Sequence, residues 1–311
     1  MLHPRLNGSS FLNSRKFPCR ISSVGRRGVT IIDENGLETS ARVAGRVYHQ
    51  TQPVAGDNAV AVTTDDIPVV ERILPRSGIL QRTSPMGAST QIIAANVEMV
   101  LVIMSIKMPD FSDGFLNRAL VAASWRELRA TVVLNKMDLC GRRDERLENR
   151  ILSTYGREGA GYPVFMVSCK TGLGTDELLE HIRGLTVVMT GPSGAGKSSL
   201  AKHFNPTLNV KIGSLNPKTR KGRHTTVAAM FIPLEKNTGL IDTPGLRMFS
   251  IDHLPRQELQ FCFPEFADCI GNCRFRDCLH LSEPGCAVKS KVEDGSISKM
   301  RYRMYTEFMN E

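Results

Sequence analysis

No run of apolar residues in this 311-residue chain approaches the ~18 needed to cross a membrane. That excludes a spanning helix. No secretory apolar core is visible near the start. Acidic residues are missing from the first 32 positions, which carry Arg5, Arg15, Lys16, Arg20, Arg26 and Arg27. A transit peptide would share that composition. Strand-like sequence begins near Arg20, however, so residues 1–19 read as a short, flexible, basic arm. Aromatic residues are nearly absent from residues 20–75, where Tyr48 stands alone, so stacking platforms for bases are scarce there. A disulfide scaffold is excluded as well: eight cysteines are few for this length, and five fall within the last fifty residues. What the chain does have is positive charge. Its formal net charge is +9 and its pI is about 9.3, which favours a polyanionic partner such as nucleic acid.

Residues 20–75 read as five short strands separated by Gly, Pro and Asn turns, the pattern of a small OB-fold β-barrel. The strands expected are 20–24, 28–32, 41–48, 59–63 and 67–74. Residues 76–90 are rich in Gly, Pro, Ser and Arg and read as a linker. From Gln91 to about Ser250 apolar runs alternate with helical patterns, which predicts a mostly parallel sheet with helices on both faces. Residues 251–311 form a third unit, and its last stretch, 296–309, reads as a helix. There Lys299, Arg301 and Arg303 stand beside Tyr302 and Tyr305, either as an RNA contact or as a solvated charged face. The fold class is multidomain α/β.

The phosphate chemistry lies late in the chain. Gly191, Pro192, Ser193, Gly194, Ala195, Gly196, Lys197, Ser198 and Ser199 run consecutively and fit G-x-x-x-x-G-K-[ST]. Glycines let successive N–H groups turn toward a phosphate chain, and the following helix adds its positive end. Lys197 supplies a charge for the β- and γ-phosphates, and the Ser198 hydroxyl can ligate Mg²⁺. Asn135, Lys136, Met137 and Asp138 follow an apolar run ending at Leu134. A carboxylate there accepts two hydrogen bonds from guanine and rejects adenine, which lacks that donor pair. Asn135 can bond the purine edge or tie loops together, and the Lys136 stem can cover the base. Ser168, Cys169 and Lys170 follow another strand, where a backbone N–H can meet the guanine O6. Asp242, which opens Asp242-Thr-Pro-Gly245, can hold Mg²⁺ through water, and the Gly245 N–H can meet the γ-phosphate. Upstream, Gly222-Arg-His-Thr-Thr226 offers the hydroxyls of Thr225 and Thr226, of which Thr226 is the preferred Mg²⁺ ligand.

These are the motifs of a GTPase in a shifted order: the base motifs precede the phosphate loop. The sequence resembles the circularly permuted GTPases of the RsgA family over nearly its whole length. The likeness rests on Gln91–Val97, NKMD, GPSGAGKSSL, KGRHTT, DTPG and the final cysteine cluster. It implies an OB barrel, a permuted GTPase domain and a zinc domain. It also implies GTP hydrolysis stimulated by the small (30S) ribosomal subunit, binding to that subunit and its rRNA, and a role in late subunit maturation. A cytoplasmic monomer that cycles between GTP and GDP is expected.

Many GTPases place a water-orienting Gln directly after the Asp-x-x-Gly motif. Here Leu246 holds that position, so the intrinsic rate should be low. His224 is the candidate replacement, and the resemblance also points to it. Near the C-terminus, Cys273, Cys278, His280 and Cys286 offer three thiolates and one imidazole, a closed tetrahedral set suited to structural Zn²⁺. Cys262 and Cys269 are left as spare thiols. Two rival classes remain. One is a GTP-gated RNA clamp with incidental hydrolysis. The other is a nucleotide-dependent metalloenzyme, which would need an open zinc position.

Overall fold

The computed structural model describes residues 15–64, 67–83, 90–206, 229–235, 237–242, 251 and 254–311. His224, Thr225, Thr226, Gly245 and Leu246 lie outside these residues.

Strands β1 (Lys16–Gly25), β2 (Gly28–Asp33), β3 (Glu38–Val43), β4 (Asn58–Thr64) and β5 (Ile67–Ile73) close into a barrel in the order β1-β2-β3-β5-β4. Inward-facing residues alternate along each strand, and Ile21, Ile31, Ala61 and Val70 fill the interior. This is the five-stranded Greek-key closure of an OB-fold. The expected strand 41–48 is shorter than its apolar pattern suggested. β3 ends at Val43, and helix α1 (Gly45–Gln50) follows. Topology explains the difference. β3 pairs with β5 in parallel, Arg42 opposite Val69 and Val43 opposite Val70. A parallel pair needs a crossover, and α1 begins that crossover. The first barrel strand also begins at Lys16 rather than Arg20. The stretch expected as a linker contains β6 (Ile79–Thr83), paired antiparallel with β7 (Thr90–Ala95).

The second sheet has six strands in the order β10-β9-β8-β11-β13-β12. They are β8 (Met99–Ser105), β9 (Arg129–Asn135), β10 (Val164–Met166), β11 (Thr186–Thr190), β12 (Met230–Pro233) and β13 (Gly239–Asp242). The five from β10 to β13 pair in parallel, and β12 runs antiparallel on the edge. β8 is buried at every residue, as a central strand covered on both faces must be. Helices α2 (Asp113–Ser124), α3 (Glu145–Tyr155), α4 (Thr175–His181) and α5 (Lys197–Phe204) connect the strands. Ser112 caps α2 by accepting from the Phe115 N–H at 3.3 Å.

The C-terminal unit combines 3₁₀ turns at Arg256–Cys262 and Pro264–Phe266 with helices α6 (Ala287–Glu293) and α7 (Lys299–Met309). It packs through the first 3₁₀ turn and α7 onto α2. Here the sequence reading of α7 is corrected. Lys299 and Arg303 are exposed, but Arg301 is fully buried. Its guanidinium pairs with both Glu265 oxygens at 2.6 and 3.1 Å, donates to Asn117 Oδ1, and lies 4.5 Å from the Phe263 ring centroid. The tyrosines also face inward. Tyr302 Oη donates to the His280 carbonyl at 2.7 Å, and Tyr305 Oη to that of Leu279 at 2.8 Å. Among the described residues, no helix is long and apolar enough to cross a membrane.

Candidate nucleotide and metal sites

The carboxyl ends of the parallel strands form the crevice where ligands bind in open α/β sheets. Three predicted segments converge there. The phosphate loop joins β11 to α5, the Asn135–Asp138 segment leaves β9, and Ser168–Lys170 follows β10. Two glycines of the phosphate loop are obligatory. Gly191 has φ +154°, and a Cβ there would run into the Ile103 carbonyl oxygen. Gly196 has φ +101°, and its Cβ would collide with Asn135 Nδ2. Lys197 Nζ donates to the carbonyls of Gly191 at 2.6 Å and Pro192 at 3.0 Å, so the ammonium points into the loop. Burial lowers the Lys197 pKa, and the nearby Asp242 carboxylate works against that shift. Asp242 ends β13 and pairs across to Met230. Asp242 therefore ends the strand that runs beside β11, the strand leading into the phosphate loop and Lys197.

Asn135 links the two halves of the site. Its Nδ2 donates to the Ala195 carbonyl in the phosphate loop at 3.0 Å, while its Oδ1 accepts from the N–H groups of Lys136 at 2.8 Å and Cys169 at 3.4 Å. Ser168 Oγ donates to Asp138 Oδ1 at 2.7 Å, and Lys170 Nζ stands 3.7 Å from Asp138 Oδ2. The Ser168 hydroxyl is the largest influence on Asp138, and with the backbone and Lys170 it holds that carboxyl below the usual range despite opposing desolvation. An acceptor that stays ionised suits a pair of N–H donors. Lys136 lies in the left-handed region at φ 64°, and its Nζ donates to the Met108 carbonyl on the loop after β8. Met137 begins a 3₁₀ turn and packs on the core. Pro192, Ser193, Gly194 and Ser199 complete the loop and the first turn of α5, and Ser198 begins that turn beside Lys197.

The four predicted metal ligands meet at one point, with ligand atoms within 4.8 Å of one another. Cys273 and Cys286 Sγ are 4.0 Å apart, and His280 Nδ1 lies 3.5 and 3.4 Å from them. A tetrahedron with Zn–S of about 2.3 Å and Zn–N of about 2.05 Å has edges of about 3.8 Å between sulfurs and about 3.6 Å from sulfur to nitrogen. The cluster therefore fits Zn²⁺, which would be held by Cys273, Cys278, His280 and Cys286. Burial pushes the Cys278 thiol up to about 12 and raises Cys286, so a cation is what would keep them as thiolates. Two supporting residues escaped the sequence reading. Gln260 Oε1 accepts from His280 Nε2 at 3.0 Å, which leaves Nδ1 for a metal. Glu283 accepts from the N–H groups of Leu279 and Leu281, both at 2.8 Å. An acid placed between two ligands in sequence was the available signal for Glu283. Gln260 gave none, because it comes from a separate turn. Cys262 and Cys269 are buried outside the cluster.

A parallel sheet with a phosphate loop and a guanine-type base motif at its strand ends, reached in shifted chain order, defines a circularly permuted P-loop GTPase. The sequence matches the RsgA GTPase family model over residues 73–252, and the chain belongs to that family. It is 36% identical over 283 residues to a small ribosomal subunit biogenesis GTPase RsgA from Clostridium botulinum, covering 90% of this chain and 91% of the relative. The RsgA of Thermotoga maritima is 34% identical over 286 residues, covering 91% and 92%. Among solved structures, YjeQ from Thermotoga maritima superposes with a TM-score of 0.78 at 31% identity, covering 95% of this chain and 98% of its own. YloQ, described as a circularly permuted GTPase, gives 0.72 at 25% identity, covering 99% and 97%.

Proposed function

We propose that this protein hydrolyses GTP to GDP and phosphate as a timing switch on the small ribosomal subunit, which it binds through rRNA during late maturation. The observation that carries the nucleotide choice is Asp138. Its carboxylate is kept ionised by Ser168 and Lys170, and Asn135 of the same segment bonds the phosphate loop at Ala195. The subunit comes from the relatives' shared name, and the net charge of +9 suits an RNA partner.

In this reading Asn135, Asp138, Cys169 and Lys170 hold the base, and residues 191–199 hold the phosphates. Mg²⁺ would be held by Ser198, Asp242 and Thr226, and when bound it neutralises charge on the β- and γ-phosphates. Thr225 and the Gly245 N–H complete the γ-phosphate end. His224 orients the attacking water, replacing the Gln that Leu246 displaces. The barrel strands, from Lys16 to Ile73, face RNA, 91–250 are the GTPase domain and 251–311 the zinc domain of a cytoplasmic monomer. The test is multiple-turnover hydrolysis with and without purified small subunits, with ATP as control. Stimulated hydrolysis of GTP alone is expected. Equal rates with and without subunits would favour a GTP-gated RNA clamp. His224→Ala should keep GTP affinity and lose the stimulated turnover.

A further inference from the structure

The barrel meets the GTPase sheet at its antiparallel edge, and two barrel residues converge there on Phe231 of β12. The Arg20 guanidinium lies 4.2 Å from the Phe231 ring centroid. Its Nη2 donates to Thr186 Oγ1 at 2.6 Å, on the strand that leads into the phosphate loop, and its Nε donates to the Gly56 carbonyl at 3.3 Å. Ser22 is buried, and its hydroxyl reaches the Phe231 carbonyl at 3.1 Å and Glu38 Oε1 at 3.0 Å, one proton for two acceptors. The Phe231 ring also fills the space over Gly239, where any Cβ would enter it. Ring and backbone of one residue are thus held by barrel side chains and by β13.

Register gives this contact its consequence. Phe231 pairs with Ile241, and the next pair along is Met230 with Asp242. A slip of one residue on a strand exchanges its two faces, so whatever fixes Phe231 also fixes which β12 residue lies beside Asp242, whose other neighbour is Met189 of β11. β12 contributes only four residues to that ladder, few hydrogen bonds with which to hold register unaided.

We propose that Arg20 and Ser22 are positioning residues of the GTPase: by pinning Phe231 they hold β12 on β13 and so brace the strand end that carries Asp242. The barrel is then a structural part of the phosphate end as well as an RNA-facing module. The inference rests on the reading of Asp242 as a residue that holds Mg²⁺.

The experiment is GTP hydrolysis by the full-length, zinc-loaded protein across a Mg²⁺ titration, with small subunits present. Nucleotide affinity in EDTA and the melting temperature are read in parallel. Arg20→Ala should raise the Mg²⁺ concentration at half-maximal turnover by about 2- to 10-fold, the worth of one hydrogen bond or cation–π contact. GDP affinity in EDTA should stay unchanged. Arg20→Lys, which keeps the charge but loses the planar fork, should fall between the two. Ser22→Ala removes a single hydroxyl and serves if Arg20→Ala does not fold; its shift should be about 2- to 3-fold. A variant that melts earlier but keeps the wild-type Mg²⁺ profile would show a merely structural contact and overturn the proposal. Asp242→Ala separates the two failures. If it shifts the Mg²⁺ profile while the barrel variants do not, only the positioning role falls. If it leaves the profile unchanged, the reading of Asp242 falls and the inference with it.

Discussion

Replacing Arg301 by methionine tests the account of the C-terminal unit most severely. The substitution keeps most of the volume and removes the charge. Arg301 is fully buried and its partner Glu265 has a side chain only 6% exposed. Burial works against the guanidinium, but Glu265 and the surrounding tyrosines outweigh it, so its pKa is raised overall and it stays charged at every working pH. Without Arg301 the Glu265 carboxylate is left buried and uncompensated, and Asn117 Oδ1 loses its donor. Breaking a buried pair in this way costs about 3–5 kcal/mol. At about 2–4 °C per kcal/mol for a domain of 150–250 residues, the melting transition should fall by about 6–20 °C. The assay is thermal unfolding by circular dichroism at fixed, saturating zinc, because metal binding adds its own stabilisation by mass action. The double variant Arg301→Met/Glu265→Leu removes both charges, and an apolar replacement of a buried pair is neutral or stabilising. It should therefore recover most of the loss. A single variant within about 0.5 kcal/mol of wild type, the range of ordinary surface substitutions, would refute the reasoning. So would a double variant as unstable as the single.

Three further outcomes follow from the sites. Gly196→Ala places a side chain at φ +101° and against Asn135 Nδ2; backbone strain of about 1–3 kcal/mol predicts about 5- to 150-fold weaker binding of fluorescent GDP, and an unchanged affinity would mean the loop does not form this cradle. Ser168→Ala removes the strongest influence lowering the Asp138 pKa. A depressed carboxyl pKa stabilises the ionised form above it and loses that benefit as pH falls through it, so the acid limb of nucleotide binding should move to higher pH in the variant; coincident limbs would dismiss the hydroxyl's role. Cys286→Ser leaves the metal cluster with two thiolates and one imidazole. Zinc measured by mass spectrometry should drop from one per chain toward none, and a full complement in the variant would rule out this ligand set.

The site was largely legible because its chemistry is local. The phosphate loop and the Asn135–Asp138 segment are contiguous, each follows an apolar strand, and the base chemistry of a carboxylate needs no distant partner to be recognised. The metal ligands were readable for the same reason, lying within fourteen consecutive residues. What escaped depends on pairing across the chain. Arg301 reads as a surface cation because its counter-charge, Glu265, is thirty-six residues away. Its neighbours at helical spacing, Tyr305 and Phe308, already mark the buried face of α7, but a sequence pattern does not show that a charge on that face is neutralised. α1 was hidden by the Val43 and Val47 alternation, which suits a strand until the parallel β3–β5 pairing demands a crossover. The contact of Arg20 with Phe231 spans more than two hundred residues, and no periodicity announces it.

The shifted motif order gains a physical meaning from where the two outer units touch the sheet. In chain order the barrel precedes the base motif, and the zinc-type cluster follows Asp242. In space the barrel grips β12, the partner of the strand that ends in Asp242. The C-terminal unit grips α2, where Arg301 donates to Asn117, Asn117 Nδ2 donates to Tyr155 Oη at 2.7 Å, and Tyr155 Oη donates to Asp113 at 2.7 Å. Tyr155 ends α3, the helix that follows the base motif. One unit therefore abuts the phosphate end of the site, and the other abuts the helices flanking its base end. A partner that displaced either unit would therefore disturb contacts beside a different half of the nucleotide site. A single large ligand that binds both units at once would act on the two halves together, which neither unit can do alone.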